Sequence, residues 1–550
     1  MKSALASLRR LALKMAGLAA LAGTAVLGAA PADAQTRISA RPYAEITQVF
    51  SVGLDDGDSD AYTGLAVGVD ARAKTRRVEG QLSYRYEKRI GWDRGNFDDD
   101  VHTGLAQVRA DILPGSLSFN AGGLASRSRG DARGPVFGFD GFEFSNTVDV
   151  YGVYAGPDFS RRIGGLDVAA NYRIGYVKVD DKSLRGLPFA PGQIRLDRYD
   201  SSTTHNASLS VGQGVGPLPF GWTLGAGYVR EDVGRLDQEY EGRYIRGDVV
   251  LPVSHSLALT AGIGYEKIES SQQDFLRDAR GLPIVTPGGN LVADPSRPRL
   301  TAFESDGLIY EGGIIWRPSR RTELQARAGH RYGGTTFTGS LRHRINSAWG
   351  LNVLVYDTIE SFGRLVVGDL AAVPLNFNTP GSAFGGGLGS VGTCVFGTDP
   401  GTGVCFDQFL QSVTASNFRN RGITALMSGG RGPWTFGVGA GYNNRKYLSP
   451  RQFEGTALRG VREETFTLTA SATRTLTLNS SADFNLYAVR SESGLSGVDG
   501  ATGFGASAGY RRRFYDQRLE GFASVGLFHS SFDNADRTVA SALLGLRHNF

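Results

Sequence analysis

Polar and apolar residues alternate along most of the chain beyond residue 34. Between residues 78 and 87, Val78, Gly80, Leu82, Tyr84 and Tyr86 fall on one face of an extended segment. Glu79, Gln81, Ser83, Arg85 and Glu87 fall on the other. The split recurs over 166–176, where Leu166, Val168, Ala170, Tyr172, Ile174 and Tyr176 oppose Asp167, Asn171 and Arg173. It returns over 322–331, 336–344 and 482–488. A period of two marks a strand whose two sides meet different surroundings.

Breaks at Gly, Pro, Asn and Asp clusters divide the chain into about 22 predicted strands. The first eleven lie near 41–53, 60–73, 78–90, 100–112, 115–126, 148–160, 166–180, 203–213, 219–231, 239–251 and 256–269. The second eleven lie near 306–317, 321–331, 335–345, 350–358, 412–428, 433–445, 461–473, 477–490, 501–512, 518–529 and 538–550. Every connection after an even-numbered strand is short, as at Leu113-Pro114-Gly115 and Arg317-Pro318-Ser319-Arg320. The long connections, 127–147, 181–202, 270–305 and 359–411, all follow odd-numbered strands.

A soluble β-sandwich also alternates, but it has no reason to sort its connections by length. Short turns on one rim and long loops on the other are expected of an all-β fold closed into a single antiparallel barrel across an outer membrane. The predicted strand number lies between 18 and 24, and an even number puts both ends of the barrel on the periplasmic side.

The leader fits this destination. Lys2, Arg9, Arg10 and Lys14 precede an apolar stretch from Met15 to Ala30, and Ala32-Asp33-Ala34 offers small residues for cleavage between Ala34 and Gln35. Residues 1–34 read as a signal peptide and residues 35–550 as the barrel, with 359–411 a long Gly-rich loop. Removing the leader takes four basic side chains and one acidic one from a chain of formal net charge +5, leaving +2. Neither charge run nor basic stripe remains, so no nucleic-acid partner is expected. About six residues, 35–40, separate the cleavage site from the first predicted strand, too few for an N-terminal plug domain.

Glycine supplies 76 of the 550 residues, without a collagen period and interspersed with Tyr, Phe, Leu, Val and Thr. Membrane barrels favour this mixture because small residues fit between aromatics on hydrogen-bonded strands. The two cysteines, Cys394 and Cys405, lie close together in an exported chain and are predicted to form a disulfide pinning the 359–411 loop. Neither has a second Cys or a His at zinc spacing.

The final strand places Ala540, Ala542, Leu544, Leu546 and Phe550 on one face. With Gly545 five residues before the terminal Phe550, it resembles the C-terminal assembly signal of bacterial outer-membrane barrels, which implies the barrel-assembly machinery as a partner. His548 and Leu543 depart from that pattern. Residues 314–357 contain Pro318, Ser319, Thr322, Leu324, Gly333, Gly334, Arg342 and Arg344 in a turn, a strand, a Gly-rich connection and an Arg-rich strand. The segment resembles the outer-membrane barrels associated with exopolysaccharide and PEP-CTERM systems, grouped with the β-barrel porins. That resemblance implies passage or export of polysaccharide.

Little of the remaining chemistry survives inspection. Asp55, Asp56, Asp58 and Asp60 suggest a calcium loop, but Ala61 and Val67 stand where Gly and a bidentate Glu are needed. They read instead as a solvated external loop, with Asp98, Asp99 and Asp100 repeating the theme; a weak ionic bridge to lipopolysaccharide is the second reading. The Gly385, Gly386, Gly387 and Gly389 tract opens no strand-to-helix unit, and the seven histidines have no ligand spacing. No nucleophile motif stands out, so no enzymatic centre, metal or cofactor is expected.

The polar faces carry charges of both signs: Glu79, Arg85, Arg109, Asp111, Asp167, Arg173, Glu323, Arg327, Arg331, Arg342, Arg344 and Asp483. They can point inward only if the interior is wet or the charges are mutually paired. Two readings stand: a ladder of structural ion pairs, or a lining that selects anionic or acidic sugar solutes. The sequence therefore predicts a porin-like channel in outer-membrane lipid and lipopolysaccharide; if the pore is restricted, loop 359–411 is the best candidate for folding inward. The alternative is a closed barrel acting through its external loops.

Overall fold

In a computed structural model the structure describes residues 37–92, 99–131, 134, 136, 146–180, 199–286, 291–378, 394–407, 411–450, 458–495, 497–515, 518–532 and 535–550. The leader with its cleavage site, Asp98 and the Gly385–Gly389 tract lie outside the described residues.

Twenty-two strands form one antiparallel sheet. They are β1 (Arg37–Gly53), β2 (Ser59–Lys74), β3 (Val78–Gly91), β4 (Asp99–Leu113), β5 (Leu117–Arg129), β6 (Thr147–Ile163), β7 (Leu166–Asp180), β8 (Ser201–Gln213), β9 (Gly221–Val233), β10 (Gln238–Pro252) and β11 (Leu257–Gln272). The ring continues through β12 (Leu300–Ser319), β13 (Thr322–Arg331), β14 (Gly334–Arg344), β15 (Trp349–Glu360), β16 (Asn417–Arg431), β17 (Trp434–Leu448), β18 (Arg462–Thr477), β19 (Ser480–Glu492), β20 (Ala501–Phe514), β21 (Leu519–Phe532) and β22 (Ala535–Asn549). Each pairs with its sequence neighbour, and β1 closes the ring on β22, from Tyr43 opposite Asn549 to Gly53 opposite Val539. Closure leaves no edge, the condition for a sheet surrounded by hydrocarbon.

The alternation becomes two surfaces. Ile46, Leu65, Val153, Ile245, Leu308, Ile423, Val525 and Leu544 are exposed on the outside. Inward positions next to them, such as Thr47, Ser51, Gln107, Glu231 and Glu266, are buried. Large outward apolars around a ring with a polar interior are the arrangement a membrane requires. Six histidines join the outer face: His102 bonds the Tyr84 hydroxyl at 2.7 Å, His205 bonds that of Tyr172 at 2.8 Å, and His343 bonds Thr322 Oγ1 at 2.8 Å. His330 stacks on Tyr310, His529 on Phe504, and His548 meets Phe550 edge-on.

Turns at one rim are tight. Gly164 and Gly165, at φ +58° and +88°, join β6 to β7 in a two-residue turn that only residues tolerant of positive φ can make. Inside the wall, glycine serves a different end. The Tyr244 ring lies over Gly227, where an added methyl would stand 2.4 Å from it, and the Phe522 ring lies over Gly545 in the same way. Inward aromatics are thus seated flat on neighbouring strands, which accounts for the glycine-rich, aromatic-rich composition.

Two strand starts differ from the sequence expectation by five residues or more. β12 begins at Leu300 rather than near 306, and β16 begins at Asn417 rather than near 412, so the long loop runs over residues 361–416. The wall is also uneven. β13 and β14 are joined through Tyr332 and Gly333 alone, and β14 pairs with β15 only from Gly339–Val355 to Arg344–Gly350. Above that ladder Arg419 and Arg421 each donate to the Thr335 carbonyl at 2.9 Å.

Candidate functional site

The described parts of the 361–416 segment, residues 361–378, 394–407 and 411–416, lie against the inner wall of the barrel. Ser361 caps helix α1 (Phe362–Ala372): its Oγ accepts from Arg364 N at 3.1 Å and donates to Glu231 Oε2 at 2.5 Å. A capped N-terminus and apolar residues at 362, 366, 367 and 370 make the helix amphipathic. Its apolar side packs on inward Leu105, Leu124, Val150, Tyr154 and Val177 of β4–β7. Gln107 donates to the Leu370 carbonyl, Gln81 to that of Phe377 at 2.8 Å, and Asn376 to Glu79 Oε1 at 2.9 Å. Glu79 stands beside the β2–β3 turn, so the segment has by then crossed the lumen.

A three-stranded sheet of Phe377–Asn378, Cys394–Gly397 and Gly403–Cys405 follows, with Cys394 and Cys405 joined in a disulfide. Inward glycines of β17 receive it: an added methyl on Gly437 would meet the Phe396 ring at 2.4 Å, and one on Gly439 would meet Cys394 Sγ at 2.2 Å. Gly401 N donates to Ser428 Oγ at 2.8 Å. The segment then returns to the outer rim, where Ser412 donates to both oxygens of Glu463. Burial pushes the Asp407 carboxyl up to about 6. Asp407 and the two sulfurs lie within 4.8 Å of one another, but the thiols are taken up by the disulfide and are poor candidates for a metal.

Beside α1 a cavity of about 240 Å³ remains inside the barrel, lined by Arg173, Tyr240, Glu266, Arg331, Glu360 and Arg364 among others. Arg364 lies 3.5 Å from the centre of the Tyr240 ring and 3.3 Å from Glu231. Arg331 Nε donates to Glu266 Oε2 at 2.7 Å. Glu231 Oε1 and Glu266 Oε1 are buried without a partner, leaving acceptor capacity next to the cavity.

The charges expected on the inner face lie on strand positions that alternate with exposed apolar residues. Most are paired. Arg85 bridges Glu45 and Glu87 at 2.8 and 3.0 Å, Arg327 meets Glu311 at 2.8 Å, and Asp483 meets Arg511 at 3.1 Å. Near the turn rim Arg109 pairs with Asp111, Asp167 with Arg162, and Glu323 with Arg317. Arg173 lies over the Tyr154 ring. Arg342 and Arg344 have no ion pair among the described residues. Glu231, Tyr240, Glu266 and Arg364 went unremarked in the sequence, although Ser361 before an apolar i, i+4, i+8 pattern is a signal for α1.

A closed ring with an apolar outside and a charged, paired inside leaves one setting. The chain is an outer-membrane β-barrel. No family model matches it, and no curated protein does. The likeness of residues 314–357 to exopolysaccharide-associated barrels therefore rests on those residues alone. Among solved structures the barrel is similar to the closed form of the ferric-catecholate import receptor Fiu from E. coli K12, at 12% identity and TM-score 0.47 over 94% of this chain and 82% of that one. It is similar to the FrpB iron transporter from Neisseria meningitidis at 11% and 0.45, over 93% and 82%. The siderophore receptor PiuA from Acinetobacter baumannii follows at 9% and 0.40, over 92% and 82%. No residue role is carried over from these structures.

Proposed function

We propose that this barrel is a channel for polar solutes whose conductance is limited by its own 361–416 segment. The observation that carries the reading is the course of that segment, from Ser361 at the outer rim to Asn376 on Glu79 near the turns and back. A chain seated across the lumen by side-chain hydrogen bonds from opposite walls can obstruct flow and can also leave. Arg342 and Arg344, inward and outside any ion pair among the described residues although Glu323 stands opposite Arg342, supply the positive lining that would favour anionic or acidic sugar solutes. The resemblance of residues 314–357 supports polysaccharide or its fragments as the cargo.

Planar-bilayer conductance tests this. Replacing residues 363–414 with a short flexible linker is expected to raise single-channel conductance severalfold, and unchanged conductance removes the gating role. R342Q/R344Q in that open variant is expected to shift the reversal potential toward cation preference; an unmoved potential dismisses these arginines as the lining.

A second reading, a sealed barrel that acts through its external loops, is favoured by the apolar cluster where α1 meets β4–β7. Liposome swelling separates the two, since a sealed barrel admits no sugar of any size.

A further inference from the structure

The outer face of β15–β18 carries a feature that the channel reading does not use. Strand register puts Arg419 of β16 opposite Lys446 of β17, and Lys446 opposite Arg462 of β18. Three cations therefore stand in one row across three strands, about 4.8 Å apart from strand to strand. Like charges directly opposite one another destabilise a sheet unless something neutralises them. Arg419 shares Asp357 with Arg421, at 2.8 and 3.1 Å. Glu464, the neighbouring carboxylate, accepts from Asn444 at 2.6 Å. Lys446 and Arg462 are exposed and have no ion pair among the described residues.

The row borders a groove of about 520 Å³, walled by the Tyr332–Gly333 hairpin tip and Phe303 on one side and by Tyr442 and Leu448 on the other. The short β13–β14 hairpin makes this notch. Directly turnward, on the same outer face, a second groove of about 520 Å³ is lined by Ile423, Ala425, Ala440, Tyr442, Phe466, Leu468, Ala488 and Phe504, with Arg490 at its margin paired to Glu492. Tyr442 belongs to both, and its ring lies 4.7 Å from that of Phe466. The floor of small alanines between aromatic walls is shaped for acyl chains. The long-loop rim faces outward in such barrels, so the cations stand at headgroup depth of the outer leaflet.

We propose that this face is a binding site for lipopolysaccharide, with glycolipid phosphate on the Arg419–Lys446–Arg462 row and acyl chains along the Ala425–Ala440–Ala488 groove. Charge complementarity selects a phosphate-bearing lipid, and the outward depth selects the glycolipid leaflet. The cation row and the alanine floor lie on the outer face, so the site can be tested apart from conduction, although Tyr332 and Ile359 line both the upper groove and the lumenal cavity.

The test uses the full-length barrel refolded in detergent, mixed in turn with purified lipopolysaccharide, its enzymatically dephosphorylated form and phosphatidylglycerol. Retained lipid is counted by native mass spectrometry. Wild type is expected to retain lipopolysaccharide in preference to both other lipids. K446Q/R462Q removes two cations without partners and is expected to lower retention about thirtyfold, the effect of two basic residues on an anionic lipid. A440L, which fills the lower groove and leaves the row intact, is expected to lower it severalfold and stands in should the double variant lose its heat-modifiable gel shift. Equal retention by a folded variant, or of the dephosphorylated lipid, overturns the site. Equal retention of phosphatidylglycerol overturns its assignment to the glycolipid.

Discussion

Gly227 and Tyr244 face one another across β9 and β10, and the ring occupies the space a Cβ would need. Alanine at 227 must push the ring off its seat, at a cost of about 1–3 kcal/mol of barrel stability. In a double-mutant cycle with Y244A, the G227A penalty is expected to vanish once the ring is gone; an additive result in urea titrations removes the seating explanation. Asp407 gives a second residue-scale consequence. Its carboxyl rises from an ordinary value near 3.8 to about 6 because it is buried in the seated segment. Between those values the seated state holds a proton that the released state has shed. Seating is therefore strongest below about pH 4, weakens as pH rises through the window, and is level above about pH 6. The loss at neutral pH is at most about 3 kcal/mol. Conductance is expected to be greater at pH 7 than at pH 4, and D407N to be low at both; a pH response that survives in D407N rules this carboxyl out.

At the scale of elements, α1 depends on its cap. S361A removes the acceptor for Arg364 N and a donor to Glu231, and is expected to cost about 1–2 kcal/mol and to speed proteolysis of the 361–416 segment. Cleavage at the wild-type rate makes the cap dispensable. The strands were legible because each position answers to one of two solvents. Leu65 meets lipid and Gly64 meets Thr47 and Glu87, so the identity of each residue reports its side. Helix α1 was not legible in that way, since FGRLVVGDLAA sits in a long polar connection and its apolar stripe has meaning only against β4–β7. The same reason hid the lumenal cavity. Arg173 and Arg331 stood out as inward charges, but their neighbour Arg364 arrives on a segment whose path the local sequence does not state.

The whole molecule is a ring of ladders of unequal length. β1 and β2 pair from Arg37–Lys74 to Val52–Ser59, whereas β14 and β15 pair only over residues 339–344 and 350–355. Where the latter ladder stops, two guanidinium groups serve the Thr335 carbonyl in place of a strand. A hoop under strain gives way at its shortest stitch. Those amides of 335–338 and 356–360 that point into the seam, and not toward β13 or β16, are expected to take up deuterium well before those of β1 and β2, and force applied across the wall should tear it there first. The place where this cylinder can part sideways is thus written into the brevity of one hairpin.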